Sequence, residues 1–167
     1  MWILKPIRLR KCISLRQFII RIMAQHFAVK LIVGIIIGLT IGLVAPQAGE
    51  PKIVITNPII TIIALVFISP IFETLLLQTL PIELARRFNR SVYTQFCAGM
   101  IPFALLHFAA GITAGIAAGV VGGVFFSYAY LECREESWKK ATVVTCINHF
   151  IHNLVVLPLM FAMASFA

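Results

Sequence analysis

Five apolar runs, each near the length of about 20 residues that a helix needs to cross a bilayer, dominate this 167-residue sequence. They occupy residues 29–45, 59–80, 91–109, 111–131 and 141–161. Only helices and closed barrels satisfy their backbone polar groups within hydrocarbon. A hydrophobic fraction of 60% also exceeds that of typical soluble domains. The runs therefore predict an all-α membrane protein, a bundle of about five transmembrane helices.

Residues 1–28 form a basic segment ahead of the membrane domain predicted at 29–167. Residues 1–30 contain seven Lys and Arg and no acid, and polar residues recur there at helical spacing, at Arg10, Ser14, Gln17, Arg21 and Gln25. A basic amphipathic helix of this kind lies in the interface of an anionic membrane. We predict such an interfacial helix, with a cleaved transit peptide as the alternative.

The basic residues also predict the orientation and the partners of the chain. With five spans and a cytoplasmic N-terminus, thirteen of the fourteen Lys and Arg lie inside and Lys52 lies outside. We therefore predict a multi-pass protein of the cell (inner) membrane whose C-terminus is outside. Because the positive charges flank apolar runs, the net charge of +8 indicates the lipid bilayer as partner, with no nucleic acid.

Two glycine ridges predict close helix packing. They consist of Gly34, Gly38 and Gly42 in the first span and of Gly111, Gly115 and Gly119 in the fourth. Such ridges serve packing within one molecule or oligomer formation, and the intramolecular role is preferred.

The second span contains one ionisable residue, Glu73. A carboxyl group in the hydrocarbon region is costly, so it is by default a hypothesis for a functional site. Glu83, which lies beside Arg86 and Arg87, is instead interpreted as part of a solvated helix end.

Three polar residues on later spans complement Glu73. A carboxylate beside the imidazole of His107 can hold and deprotonate a water molecule. His149 and Asn153 are four residues apart on one helix, so they face the same way and offer two donors to an oxyanion. His152, which lies between them in the sequence, is interpreted as an interfacial histidine. A general base with oxyanion donors is sufficient for amide hydrolysis.

These residues lie in three segments with a family resemblance, namely Phe72-Glu73-Thr74-Leu-Leu-Leu-Gln78, Phe103-Ala-Leu-Leu-His107 and His149-Phe-Ile-His-Asn153. In order and in placement on separate spans they resemble the motifs Glu-Glu-x-x-x-Arg, Phe-x-x-x-His and His-x-x-x-Asn. Those motifs belong to the CAAX-protease and bacteriocin-processing family of intramembrane endopeptidases. The resemblance covers about residues 55–160.

The resemblance implies a role for each residue. Glu73 and His107 would activate water, and His149 with Asn153 would form the oxyanion site. Phe103 marks the second motif. The preferred mechanism requires no cofactor. Since the family is also described as metalloproteases, a zinc ion held by Glu73, His107 and His149 is the alternative.

The first motif departs from the family pattern at two positions, where Thr74 replaces the second Glu and Gln78 replaces the Arg. Replacing both halves of a buried ion pair can be nearly neutral, whereas breaking one half is costly. The two residues are four apart, and we expect a hydrogen bond between Thr74 and Gln78 to replace the pair.

The residues therefore predict an intramembrane endopeptidase acting on membrane-associated peptide or protein substrates. The alternative is a catalytically inactive relative that acts as an immunity or partner-binding membrane protein. A proton-coupled transporter using Glu73 is a weaker hypothesis, because the spans contain no internal repeat.

The charge distribution predicts the topology. A reporter inserted at Ser137 is expected to be cytoplasmic, and one fused after Ala167 to be non-cytoplasmic. Paired alkaline phosphatase and fluorescent protein fusions at both sites measure this. The reverse result at either position would contradict the five-span assignment.

Overall fold

The computed structural model describes residues 14–44 and 57–165, and within these ranges it contains helices and no strand. The five helices are α1 Leu15–Val44, α2 Pro58–Arg87, α3 Val92–Phe108, α4 Ile112–Arg134 and α5 Trp138–Ser165. In the described part of the chain, four of them are long and apolar enough to cross a membrane, and α3 is a shorter apolar helix. The prediction of an all-α membrane bundle is confirmed.

Helix α1 runs without a break from the amphipathic segment into the first span. Its first half packs on the bundle through one face, with Phe18, Ile22, Met23 and His26 buried. Most side chains described in its second half are exposed. Residues 1–13 lie outside the described residues, and no helix end marks residue 28, so the division into residues 1–28 and 29–167 stays a prediction.

Helix α2 changes its winding on both sides of Glu73. A π-helical stretch occupies Ile63–Ile68, another occupies Thr74–Thr79, and Glu73 ends the α-helical turn between them. Pro70 and Pro81 follow the two stretches. Because a proline lacks its N–H and its ring displaces the carbonyl four residues earlier, the preceding turn widens. Single π-helical turns often occur at functional sites.

Glycines bring α3 and α4 into backbone contact. A Cβ atom built on Gly119 would lie 2.8 Å from Cβ of His107 and 2.9 Å from the carbonyl oxygen of Ala104. A Cβ atom on Gly115 would overlap the ring of Phe108. By contrast, Gly34 and Gly38 have no neighbour within 4 Å among the described residues. The second ridge therefore packs α4 on α3 and fixes the backbone that carries His107.

Helices α2 and α5 pack antiparallel in a register set by two hydrogen bonds. Near one end the hydroxyls of Thr79 and Thr142 lie 3.1 Å apart. Towards the other end, Nδ2 of Asn153 donates to the carbonyl oxygen of Leu65 at 2.7 Å. Between these contacts the register brings the middle of α2 opposite the middle of α5.

One end of the bundle, here called the basic end, contains Arg86, Arg87, Arg90, Arg134, Lys139 and Lys140. Glu83 on α2 accepts hydrogen bonds there from the guanidinium of Arg134 and, at 2.9 Å, from the hydroxyl of Tyr130. Glu83 lies near the end of α2 with its side chain partly exposed, as interpreted from the sequence, and its carboxylate in addition connects α2 to α4.

The Gly119 contact predicts a selective loss of stability. Gly119→Ala should lower the stability of the detergent-solubilised protein by about 1–3 kcal/mol, because the added methyl meets backbone atoms of α3. Gly38→Ala is the matched control. The added methyl group enters open space, and alanine favours helix formation. The thermal unfolding midpoint of this variant should therefore stay unchanged or rise slightly. Equal thermal midpoints for both variants would contradict the packing.

Candidate active site

Helices α2, α3 and α5 each contribute one side chain to a single cluster. Oε2 of Glu73 lies 4.0 Å from Nε2 of His107 and 3.7 Å from Nε2 of His149. The three side chains are 16%, 21% and 3% exposed, respectively. The structure therefore brings the predicted residues together from spans more than 30 residues apart in sequence, in the apolar interior.

The two carboxylate oxygens of Glu73 have different surroundings. Oε1 accepts a hydrogen bond from the hydroxyl of Ser69, one turn earlier on α2. Oε2 is buried and accepts no hydrogen bond from the described residues. Ser69 thus orients the carboxylate and leaves one oxygen directed at the histidines. Sequence analysis missed Ser69, and its position four residues before Glu73 was the available signal.

His107 is held by its own helix. Its Nδ1 donates to the carbonyl oxygen of Phe103 at 2.9 Å, and its ring stacks on the ring of Phe103 at 4.5 Å. Because a carbonyl oxygen only accepts, Nδ1 carries the hydrogen. In the neutral imidazole the lone pair is then on Nε2, the atom nearer Glu73. Phe103 therefore sets both the tautomer and the orientation of the ring.

His149 is enclosed by aromatic rings. It stacks on Phe126 at 4.5 Å and meets the edge of Phe103 at 5.5 Å. Its Nδ1 is buried and has no hydrogen-bond partner in the part of the chain described. The two phenyl rings restrict rotation of this imidazole and keep its Nε2 facing Glu73.

The separations within the cluster suit a shared water molecule. Distances of 3.7 and 4.0 Å exceed those of direct hydrogen bonds. Polar contacts of this length are commonly bridged by one water molecule. A water between Oε2 of Glu73 and Nε2 of His107 would donate to two acceptors, which leaves its oxygen lone pairs free to attack a carbonyl carbon.

Asn153 lies one turn beyond His149 on α5, and one N–H of its side-chain amide is already engaged in a hydrogen bond. One N–H donates to the carbonyl oxygen of Leu65, in the π-helical stretch of α2. A side-chain amide has two N–H donors, so one remains for a substrate oxygen. The contact with Leu65 holds α5 against α2, and the oxyanion role of Asn153 stays a prediction.

The two altered residues of the first motif do not bond to each other. Thr74 and Gln78 are both fully buried. The hydroxyl of Thr74 and both polar atoms of Gln78 have no hydrogen-bond partner within residues 14–44 and 57–165. The predicted Thr74–Gln78 hydrogen bond is therefore wrong. Both side chains are buried within the bundle, and each keeps its hydrogen-bonding capacity.

No group of three or more His, Cys, Asp and Glu side chains in the described ranges is arranged to hold a metal ion. In the candidate site, one oxygen of Glu73 is already engaged by Ser69. Zinc at Glu73, His107 and His149 stays a prediction.

A second histidine cluster lies beside the site. His152 is buried, its Nε2 accepts from the ammonium of Lys30 at 2.8 Å, and its ring stacks on His26 at 4.3 Å. The interpretation of His152 as an interfacial histidine is wrong. The contact could not be read from the sequence, because Lys30 and His152 are 122 residues apart and belong to different spans.

The comparisons with known proteins concern the same part of the chain. A family model described as type II CAAX prenyl endopeptidase Rce1-like matches residues 55–155, more than half of the 167 residues. The match includes all three motif segments and confirms the resemblance drawn from them. The comparison with curated proteins and the comparison with solved structures gave no match.

The unbonded pair in the first motif leads to a double-mutant prediction. Thr74→Glu would add a second buried carboxyl group beside Glu73, and Gln78→Arg would bury an unpaired guanidinium. Each single variant should lose about 3–5 kcal/mol of stability, the usual cost of a buried charge without a partner. In the double variant the two charges pair, so much of that loss should be recovered.

Thermal unfolding in detergent of the parent, both single variants and the double variant measures this coupling. Strictly additive losses would show that positions 74 and 78 do not meet across one helical turn.

Proposed function

Because this chain belongs to the type II CAAX prenyl endopeptidase Rce1-like family, we propose that it is an intramembrane endopeptidase. It hydrolyses peptide bonds of membrane-associated substrates with a water molecule activated by Glu73 and His107. The observation that carries the proposal is the convergence of two imidazole nitrogens, at 4.0 and 3.7 Å, on one free carboxylate oxygen in the apolar interior.

The first chemical step is attack by water. Oε2 of Glu73 takes a proton while the water oxygen forms a bond to the carbonyl carbon of the scissile peptide. Nε2 of His107 accepts the second hydrogen bond of that water and so orients its lone pair. The hydrogen bond from Ser69 holds the carboxylate while its charge changes.

The second step is breakdown of the tetrahedral intermediate. An N–H of His149 and the remaining N–H of Asn153 would donate to the oxyanion, where donors act strongly because bulk water is excluded. The C–N bond then breaks, and the proton held by Glu73 passes to the leaving amine. The immediate products are a carboxylic acid and an amine, and Glu73 is ionised again. The acid then passes its proton to the amine, which gives a carboxylate and an ammonium group.

The proposed location is a bilayer with the basic end of the bundle in the cytoplasm. Glu73 lies ten residues from Glu83 along α2, which corresponds to a depth of about 15 Å at about 1.5 Å per residue. The family description names prenylated CAAX substrates. For this chain we propose a peptide presented at the membrane, and a panel of prenylated and unprenylated peptides would define its class.

One observation favours the alternative of an inactive, partner-binding relative. Thr74 and Gln78 occupy the places of a charged pair in the family motif, and both are buried without a partner in the described residues. An inactive relative that has lost the charged pair but still contains Glu73 and His107 would have the same arrangement of side chains. Cleavage of any membrane peptide by the purified protein separates the two functions.

The proposed roles predict loss of hydrolysis on removal of either water-activating group. Glu73→Gln removes the base and His107→Ala removes the acceptor that orients the water. Each should lower kcat by about 10²–10⁴-fold, the usual contribution of general base catalysis. Cleavage of a fluorogenic peptide in reconstituted vesicles measures the effect.

Glu136→Gln is the matched control, since it neutralises an exposed carboxylate that pairs with Lys140 at the basic end. It should retain full activity. All three variants should insert in the membrane as the parent does, because apolar spans drive insertion. Full activity in Glu73→Gln or in His107→Ala would overturn the assigned roles.

A further inference from the structure

Five fully buried polar side chains lie between the active site and the basic end. We call them the polar column, and its members are Thr74, Gln78, Ser127, Thr145 and Asn148. Each has a side-chain nitrogen or oxygen that no described residue bonds. They belong to three helices, so the feature is a property of the helix interfaces and not of one sequence segment.

The antiparallel register of α2 and α5 places four members of the column. On α2, Thr74 and Gln78 lie between Glu73 and Thr79. On α5, Thr145 and Asn148 lie between Thr142 and His149. Since Thr79 contacts Thr142 and Glu73 faces His149, all four side chains occupy the two turns between these contacts.

Helix α4 supplies the fifth member and the connection to the surface. Ser127 follows Phe126, whose ring stacks on His149. One turn further on, Tyr130 donates to Glu83, which is bonded to Arg134 at the basic end. Along α4, these residues therefore extend from the ring that contacts His149 to the charged cluster at the basic end.

Unbonded polar atoms at this depth require partners. A hydroxyl or amide buried without a hydrogen bond costs about 1–3 kcal/mol in proteins. In proteins such groups are satisfied by internal water, each molecule typically making about three hydrogen bonds. Apolar residues of the same shape would have avoided the cost, so the presence of five such groups in this part of the bundle points to a bound ligand.

We propose that the polar column binds a chain of water molecules and conducts water from the basic end to Glu73. The inference rests on the proposed function, because hydrolysis consumes one water molecule in each turnover. A site surrounded by lipid and by the rings of Phe103 and Phe126 needs a path by which that molecule is replaced.

The column also gives a role to the altered first motif. A charged pair at positions 74 and 78 would bond to itself, whereas a hydroxyl and an amide that do not bond each other offer both donors and acceptors to water. Thr74 and Gln78 therefore serve the path that leads to the neighbouring Glu73.

Radiolytic labelling tests the water directly, without relying on hydrolysis. A short X-ray pulse generates hydroxyl radicals from bound as well as bulk water, and these oxidise adjacent side chains. Tyr130 and Phe126, which flank Ser127 and are buried, should be oxidised in the parent protein in nanodiscs. In Thr145→Val and in Thr145→Val/Asn148→Leu this oxidation, read by mass spectrometry, should fall.

The matched control is Thr113→Val. The hydroxyl of Thr113 is also buried and unbonded in the described structure, but it lies at the opposite end of α4 from Ser127. Its removal should leave the oxidation of Tyr130 and the peptidase activity unchanged. Thr145→Ser, which keeps the hydroxyl, should behave as the parent does.

Kinetics provide the second readout. Thr145→Val/Asn148→Leu should lower kcat by about ten-fold, or about 1.4 kcal/mol, with KM unchanged, because substrate binding does not involve the column. The thermal unfolding midpoints of all variants identify any variant that is simply unfolded. If the double variant is unfolded, the comparison is made with Thr145→Val alone.

Protection of Tyr130 and Phe126 from oxidation in the parent protein would overturn the proposal. An unchanged kcat in a folded variant that has lost this oxidation would also overturn it. If no peptide is cleaved at all, the proposed function fails, while the labelling of parent and variants still decides whether the column holds water.

Discussion

A carboxylate held in the apolar interior is the constraint on which the rest of this structure depends. Such a group is tolerated inside a membrane protein only when it faces the bundle and has polar neighbours. Glu73 meets this condition through the hydroxyl of Ser69 and the imidazoles of His107 and His149. To bring these groups within about 4 Å, α3 and α5 must each be fixed against a neighbouring helix. Gly119 serves this purpose for α3, and Asn153 serves it for α5.

The polar side chains of the interior divide into two kinds. Those at the ends of the α2–α5 interface bond to protein and set the register, as Thr79 does with Thr142. Those nearer the site, such as Thr74 and Asn148, keep their bonding capacity free of the described residues. A polar atom that already bonds to protein is not available to water or substrate, whereas the unbonded atoms of Thr74 and Asn148 are.

The family pattern bears on stability as well as on catalysis. A buried ion pair is an uncertain source of stability, since the desolvation of both charges can exceed their attraction. This chain has Thr74 and Gln78 where the family motif has Glu and Arg. The two neutral side chains avoid that desolvation cost, while Glu73 keeps its position beside the histidines. The first motif is therefore altered next to Glu73 and not at Glu73 itself.

The sequence by itself determined the helices, the membrane class and the residues of the central cluster. Helix formation and burial in lipid depend on local composition, so five apolar runs were enough to predict five helices, and one carboxyl among them was enough to indicate the site. Only the tertiary structure decided which side chains meet. The unbonded state of Thr74 and Gln78 and the pairing of Lys30 with His152 depend on how each helix is rotated and shifted against its neighbours. Rotation and shift are set by packing over the whole bundle, at contacts such as Gly119 on Ala104, and no single segment of sequence encodes them.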